Sequence, residues 1–395
     1  MKKTILNKII KIVRDDKNIV SLINFLFGVQ FITPYLALYM ESQLQSLSQV
    51  ALIFSLQSAA MILFELPTGI SSDILGRKKS LVISGLIQIL SLIILYFASN
   101  ILGFIFYAIL QGIIIGFSNK ASESYIYETL ILENSQSEFK KHFTNVYGMW
   151  SLGATFSSII ASFFSFYGIK SLILGSILIS CLIPYFALFI KNINVHRKKQ
   201  NYFKNVKKIL KHTLLKKSLT PFILFNIFYL GVFDEVLKLK SILFSSKIVS
   251  FELIGLFTAL FYFMTATGLR TSYYLSKRLS DYKTFLLGLS GFITSIAFAA
   301  TTSGFLSIFI FALAGFFFSI NRPVISHVIN NNISNQNRAT TISIFELLTN
   351  FAQLSVGIWI SFASLSLNIQ DIYLLMSLLI FVLLFLFRKM FILID

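Results

Sequence analysis

Apolar residues run along this chain in blocks of about twenty, set apart by short polar breaks, from one end to the other. A block of that length is what a helix rising 1.5 Å per residue needs to cross the hydrocarbon of a bilayer. The pattern predicts spans near 19–40, 47–70, 80–98, 102–127, 143–166, 168–190, 220–241, 252–276, 284–301, 304–328, 339–363 and 372–390. The longest break, 191–219, leaves six spans on either side. The expected organisation is therefore a segment 1–18, a bundle 19–190, a linker 191–219, a second bundle 220–390 and a tail 391–395. A faint internal repeat agrees with two related halves, since FIFYAILQGIIIGFSNKA in the fourth span resembles FIFALAGFFFSINRP in the tenth.

Composition sharpens this picture. Of the 395 residues, 56% are hydrophobic and 13% charged, where a soluble domain carries roughly 25% charged residues. Such a surface needs lipid around it. The formal charge of +18 could suggest nucleic acid, but most lysines and arginines sit in the amino-terminal segment and in alternate loops. That is the positive-inside arrangement, which puts both termini in the cytoplasm of a bacterial inner membrane and leaves nucleic acid without a binding face. In the first segment, Ile5, Leu6, Ile9, Ile10 and Val13 recur at helical spacing beside Lys2, Lys3, Lys8, Lys11 and Arg14. This suits a helix lying on an anionic leaflet. The single cysteine, Cys181, excludes an intramolecular disulfide, and four scattered histidines give no metal-ligand spacing. No phosphate-binding glycine loop is present, so no cofactor is expected and direct use of ATP is disfavoured.

The loop after the second span carries the most specific motif. Glu65-Leu66-Pro67-Thr68-Gly69 leads into Asp73, Gly76, Arg77 and Lys78, in the pattern G-x-x-x-D-x-x-G-R-K. It closely resembles the loop signature of the major facilitator superfamily. The preceding E-x-P-T-G, and the Arg338-Ala339-Thr340-Thr341-Ile342-Ser343 that opens the eleventh span, are similar to bacterial efflux-type members. The resemblance implies an all-α membrane protein with twelve transmembrane helices in two pseudo-symmetric bundles. It also implies alternating access rather than an enzymatic reaction, a small-molecule substrate, protons as the coupling ion and a monomer. Gly69, Asp73, Gly76, Arg77 and Lys78 are its implied gating motif. Gly76 would allow a tight turn, while Asp73 would meet the positive end of a helix. Ala108 replaces the arginine of the family's R-x-x-Q-G motif, leaving Gln111-Gly112, and the fifth span keeps Gly148 and Gly153 without a proline.

Charges inside spans are costly, at roughly 2.5 to 3.5 kcal/mol each on insertion scales, so they mark cavities or partners. The set is Glu65, Lys120, Glu123, Asp234, Glu235, Arg270, Arg322 and Glu346. Spans one, four, seven and ten line the cavity in the resembled family, which makes Asn24, Gln30, Tyr35, Lys120 and Arg322 the substrate-cavity candidates. Two opposed cations, Lys120 and Arg322, would suit an anionic or zwitterionic group; alternatively, Lys120 pairs with Glu123 at i,i+3 and Arg322 reaches lipid phosphates. Glu65, Glu123, Asp234 and Glu235 are the candidates for proton coupling. Against that role, Asp234 lies four residues before Lys238 and could form a plain ion pair, and Glu65 could bond near Thr68. The resulting expectation is proton-coupled efflux of a small organic molecule such as a drug, metabolite or peptide-like compound. Rival readings are uptake of an anionic or zwitterionic solute, a polytopic enzyme of envelope synthesis, and a binding or immunity protein that moves nothing.

Overall fold

Lipid offers no partner for a bare peptide group, so a chain this apolar has to close its hydrogen bonds within helices. The computed structural model describes residues 16–133, 135, 139–192, 220–247, 250–275, 278–331 and 338–388, and among them every regular element is helical. The membrane-surface helix expected at the amino terminus, nearly all of the 191–219 linker and the 391–395 tail lie outside the described residues.

In chain order the helices are α1 (Asp16–Gly28), α2 (Leu36–Leu44), α3 (Leu47–Leu75), α4 (Arg77–Phe97), α5 (Ile101–Leu132), α6 (Phe139–Phe164), α7 (Ile169–Ser180) and α8 (Leu182–Ala187). After the linker come α9 (Thr220–Ser246), α10 (Leu253–Leu275), α11 (Asp281–Thr301), α12 (Gly304–Asn331), α13 (Arg338–Ala363) and α14 (Ile369–Leu386). Among the described residues, eleven stretches are long and apolar enough to cross a membrane. The twelfth, α9, has the length at 27 residues, but Asp234, Glu235, Lys238 and Lys240 break its apolar run. The first crossing is interrupted. α1 ends at Gly28, Thr33–Tyr35 forms a 3-10 turn around Pro34, and α2 resumes the path. The exposed backbone is repaired locally: Gln30 N donates to Gly28 O at 2.9 Å and Tyr35 N to Ile32 O at 2.9 Å, while Ile32 N reaches Ser176 Oγ at 3.3 Å.

Helix starts carry their own signals. Asn100 caps α5 by accepting from Gly103 N at 3.1 Å, and Asn368 caps α14 from Asp371 N at 3.0 Å. Gly76, at φ 86°, makes the left-handed turn that starts α4 at Arg77, three residues before the predicted span. At the far end of α11, the Lys247 ammonium donates to Ala300 O and Thr302 O, both at 2.6 Å, and so closes carbonyls the helix cannot use.

Contacts divide the chain into two units, Met1–Tyr35 with Ala59–Arg197 and Leu36–Ser58 with Lys198–Asp395. α2 and the first part of α3 thus pack with the later helices, α2 lying against α9. Within the first unit α1 crosses α6 so closely that a Cβ at Gly153 would overlap the Phe25 carbonyl, and one at Gly28 the Trp150 carbonyl. Its core is aliphatic, with Ile19, Val20, Ile23, Leu81, Ile126 and Leu130 buried together. The second unit is built on aromatic rings instead. Tyr229 and Phe233 of α9 meet Phe292 of α11 and Phe318 of α12, and the Phe233 and Phe318 rings stack at 3.3 Å between centroids. Large side chains left outside, such as Ile74 at 78% exposure, form the apolar exterior that lipid would cover.

Candidate functional site

Two polar clusters stand out from these apolar bundles, one in each unit. In the first unit, the turn at Gly76 places Arg77 at the start of α4, where a cation meets the positive end of the helix and needs compensation. Carboxylates supply it. Arg77 Nη2 lies 2.5 Å from Asp73 Oδ1 and 3.2 Å from Glu128 Oε1, Nε donates to the same Glu128 oxygen at 3.2 Å, and Nη1 donates to Ser72 Oγ at 2.8 Å. Arg77 and Glu128 are buried, whereas the Asp73 side chain is 60% exposed. Lys78 Nζ donates to Leu188 O at 2.6 Å, and Gly69 lies half-buried within α3. Glu128 was missed by the sequence reading because it falls one residue past the predicted fourth span. α5 in fact runs on to Leu132.

The polar residues of the first crossing are held within the same unit. Asn24 Nδ2 donates to Val20 O at 2.9 Å and to Ser122 Oγ at 3.0 Å. Gln30 Nε2 donates to Ser180 Oγ at 3.2 Å and Gln30 Oε1 accepts from Gln88 at 3.4 Å, while Tyr35 is fully buried. These side chains tie α1 and the turn after it to α4, α5 and α7. Glu65 is buried on α3, and the nearby Thr68 hydroxyl donates to the main-chain carbonyls of Phe64 and Glu65 at 2.7 and 3.2 Å. Glu123 is exposed on α5, as is Glu346 on α13. Lys120 falls in α5 with its side chain outside the described residues, as do the side chains of Arg338 to Ser343 in α13.

The second unit concentrates its charge at the middle of α9. Glu235 is fully buried, and Lys238, one turn on, places its ammonium 2.6 Å from Oε1. The same ammonium approaches Ser58 Oγ at 3.4 Å and lies 5.7 Å from the centre of the Phe54 ring. Among the described residues Glu235 Oε2 has no hydrogen-bond partner, and it faces Gly357 of α13 so closely that a Cβ there would sit 3.4 Å away. Of the two spacings available to Lys238, i,i+3 to Glu235 and i,i+4 to Asp234, the structure uses the first. Asp234 instead accepts from the Gln353 amide of α13, whose own oxygen is 3.4 Å from Ser58 Oγ. Arg322 of α12 is exposed, with its guanidinium 6.0 Å above the Phe318 ring. Gln353, Ser55 and Ser58 were not singled out from the sequence: an uncharged polar residue in an apolar run carries little signal until its neighbours are known.

Comparison with known proteins follows the same lines. The sequence model described as Major Facilitator Superfamily matches residues 19–245. An uncharacterised MFS-type transporter of Methanocaldococcus jannaschii is 32% identical over 101 residues, an alignment covering 26% of this chain and 26% of that protein. The match thus spans about a quarter of the curated relative's length. Among solved structures, a point mutant of the nucleoside transporter NupG superposes with a TM-score of 0.81 at 15% identity, covering 95% of this chain and all of that one. A D-xylose-proton symporter superposes at 0.73 and 16% identity, over 93% of this chain and 96% of its own. At such identities the likeness concerns the fold.

Proposed function

We propose, because the chain belongs to the major facilitator superfamily and carries two adjacent carboxylates in the middle of α9, Glu235 fully buried and Asp234 half-buried, that it is a proton-coupled secondary transporter exporting a small organic molecule. The observation that carries the reading is Glu235, fully buried, with one oxygen on Lys238 and the other without a hydrogen-bond partner among the described residues. A proton arriving on Oε2 would neutralise the carboxylate and release the Lys238 ammonium. In a low-dielectric interior a freed cation cannot stay alone, so it must turn to the charges beside it. Asp234, four residues before Lys238, is the next carboxylate along the helix, with Ser58 already at hand. Proton loading is thereby linked to how α9, α13 and the first part of α3 hold one another, which is what coupling a proton to a change of access requires.

Export as the direction rests on the E-x-P-T-G and Arg338-Ala339-Thr340-Thr341 resemblances. On this reading the protein works as a monomer in the bacterial inner membrane, with both ends of the chain cytoplasmic. The fold accommodates proton coupling, one neighbour being a proton symporter by name. A specific feature favours uptake of an anionic or zwitterionic solute as the second reading: the exposed Arg322 has no ion pair among the described residues.

An accumulation screen on cells with and without the intact chain supplies a substrate. Its flux into everted vesicles is then followed with and without protonophore. Export predicts accumulation that collapses when the proton gradient is removed and that Glu235→Gln abolishes; accumulation indifferent to protonophore would falsify proton coupling. Flux in proteoliposomes separates transport from an enzymatic or purely binding role.

A further inference from the structure

The two neighbouring carboxylates of α9 are held by different helices. Glu235 keeps Lys238 of its own helix at 2.6 Å, and Asp234 takes the Gln353 amide of α13. Ser58 of α3 lies between the two holders, for the Lys238 ammonium and the Gln353 side-chain oxygen each reach its Oγ at 3.4 Å. From one acid to the other the contacts run Glu235, Lys238, Ser58, Gln353, Asp234, through three helices. The Tyr373 hydroxyl of α14 donates to Val236 O at 2.7 Å and so stays outside this sequence of contacts.

Charge fixes the order of donors and acceptors. An ionised carboxylate only accepts, so Gln353 presents its N–H to Asp234 and its oxygen to Ser58. Ser58 has a single proton and a second use for it, the Phe54 carbonyl of its own helix at 3.3 Å. Once a proton neutralises Glu235, Asp234 is the neighbour still charged, and at i,i+4 it is within reach of Lys238. An ammonium beside Asp234 has left Ser58, and it is a stronger partner for the Gln353 oxygen than a hydroxyl. Ser58 then keeps the bond inside α3.

What α3 loses is a light hold on α13. Farther along the two helices, Ser48 Oγ lies 3.1 Å from Ser361 Oγ, and Ser361 Oγ donates to Ser48 O at 2.9 Å. Between these points Ser55 turns its hydroxyl to Ala51 O at 2.8 Å and packs where Gly357 has no Cβ. Small residues and hydroxyls make the contact at these places, so a change at Ser58 can part the helices without unlocking large side chains.

We infer that Gln353 is the positioning residue that carries the charge of Glu235 to α3. Held on Asp234, it keeps Ser58 joined to α13; the arrival of Lys238 at Asp234 turns it away and frees the first part of α3. This assignment rests on the proton-coupled reading above and adds the helix that the proton moves.

The test uses the full-length protein in membranes, with neither substrate nor proton gradient. Ser48→Cys and Ser361→Cys are introduced together with Cys181→Ser, and the rate at which copper-phenanthroline joins the pair reads whether α3 and α13 stay in contact. Glu235→Gln, which stands for the protonated acid, should slow the joining at least about tenfold. Gln353→Met, of similar length but without an amide, should slow it as well. In the Gln353→Met background Glu235→Gln should add nothing, and in the Asp234→Asn background it should have no effect, because Lys238 then has no second charge to move to. A merely structural glutamine would give slowing factors that multiply, and that outcome overturns the assignment. Joining that Glu235→Gln leaves unchanged overturns it too, as does equal slowing of a reference pair in the first unit, Asn24→Cys with Ser122→Cys, where Nδ2 and Oγ lie 3.0 Å apart. Unchanged joining beside proton-driven export removes the role of Gln353 and keeps the transport reading; the expected joining beside export indifferent to protonophore does the reverse.

Discussion

Arg77 and Arg322 are the same residue in two different physical situations, one in each unit. Arg77 is buried, and Asp73, Glu128 and Ser72 take up its guanidinium nitrogens between them. Arg322 is exposed, with its guanidinium 6.0 Å from the centre of the Phe318 ring and no ion pair among the described residues. The first arrangement is complete by itself, so its contribution is to hold α3, α4 and α5 together. The second leaves its guanidinium on a ring alone. A buried charge with every partner in place speaks of structure, and an exposed charge without an ion pair leaves its hydrogen-bond donors open.

The sharpest way to break this contrast is Arg77→Ala. Removing the cation takes from the buried Glu128 the ion pair it makes at 3.2 Å, and stability should fall by about 3 to 5 kcal/mol, measured by unfolding in detergent. The double variant Arg77→Ala with Glu128→Gln should recover a substantial part, because the buried group at position 128 then carries no charge. Equal losses in the single and double variants would mean that the carboxylate is not what makes Arg77 costly to remove. A milder probe in the same unit is Lys17→Ala. Lys17 pairs with Glu133 at 2.5 Å, but the Glu133 side chain is 44% exposed. Water already screens that pair, so the expected loss is only about 0.2 to 1 kcal/mol, shrinking with added salt. The smallest effect on stability is expected from Arg322→Gln, within about 0.5 kcal/mol, although transport should drop at least about tenfold. Large destabilisation by Arg322→Gln, or undiminished transport, would erase the difference between the two arginines.

Much of this architecture was legible in the residues, and the reasons are local. Apolar blocks of about twenty residues announce crossings because lipid forbids other structure. Gly76 announced a turn because few other residues adopt its positive φ. The end of α5 was less legible. Its last turns carry Tyr127, Glu128 and Thr129, polar enough to resemble a loop, and only burial against Arg77 shows Glu128 to be inside the fold. Asn24 and Gln30 show the same limit. Lipid disfavours them, which marks them as facing protein, but whether they meet a solute or another helix depends on Ser122 and Ser180, distant in the chain.

The sequence by itself determined that this is a multi-pass, all-helical membrane protein of the major facilitator type, because span length, apolar content and the Gly69 to Lys78 motif are properties of contiguous residues. Only the tertiary structure decided which charges are spent and which are kept. Lys238 could have satisfied either neighbouring carboxylate on its helix. It satisfies Glu235, because Gln353, more than a hundred positions later, holds Asp234. Partner choice among charges in a low-dielectric interior is set by distances between helices, and those distances are written in no single stretch of the chain.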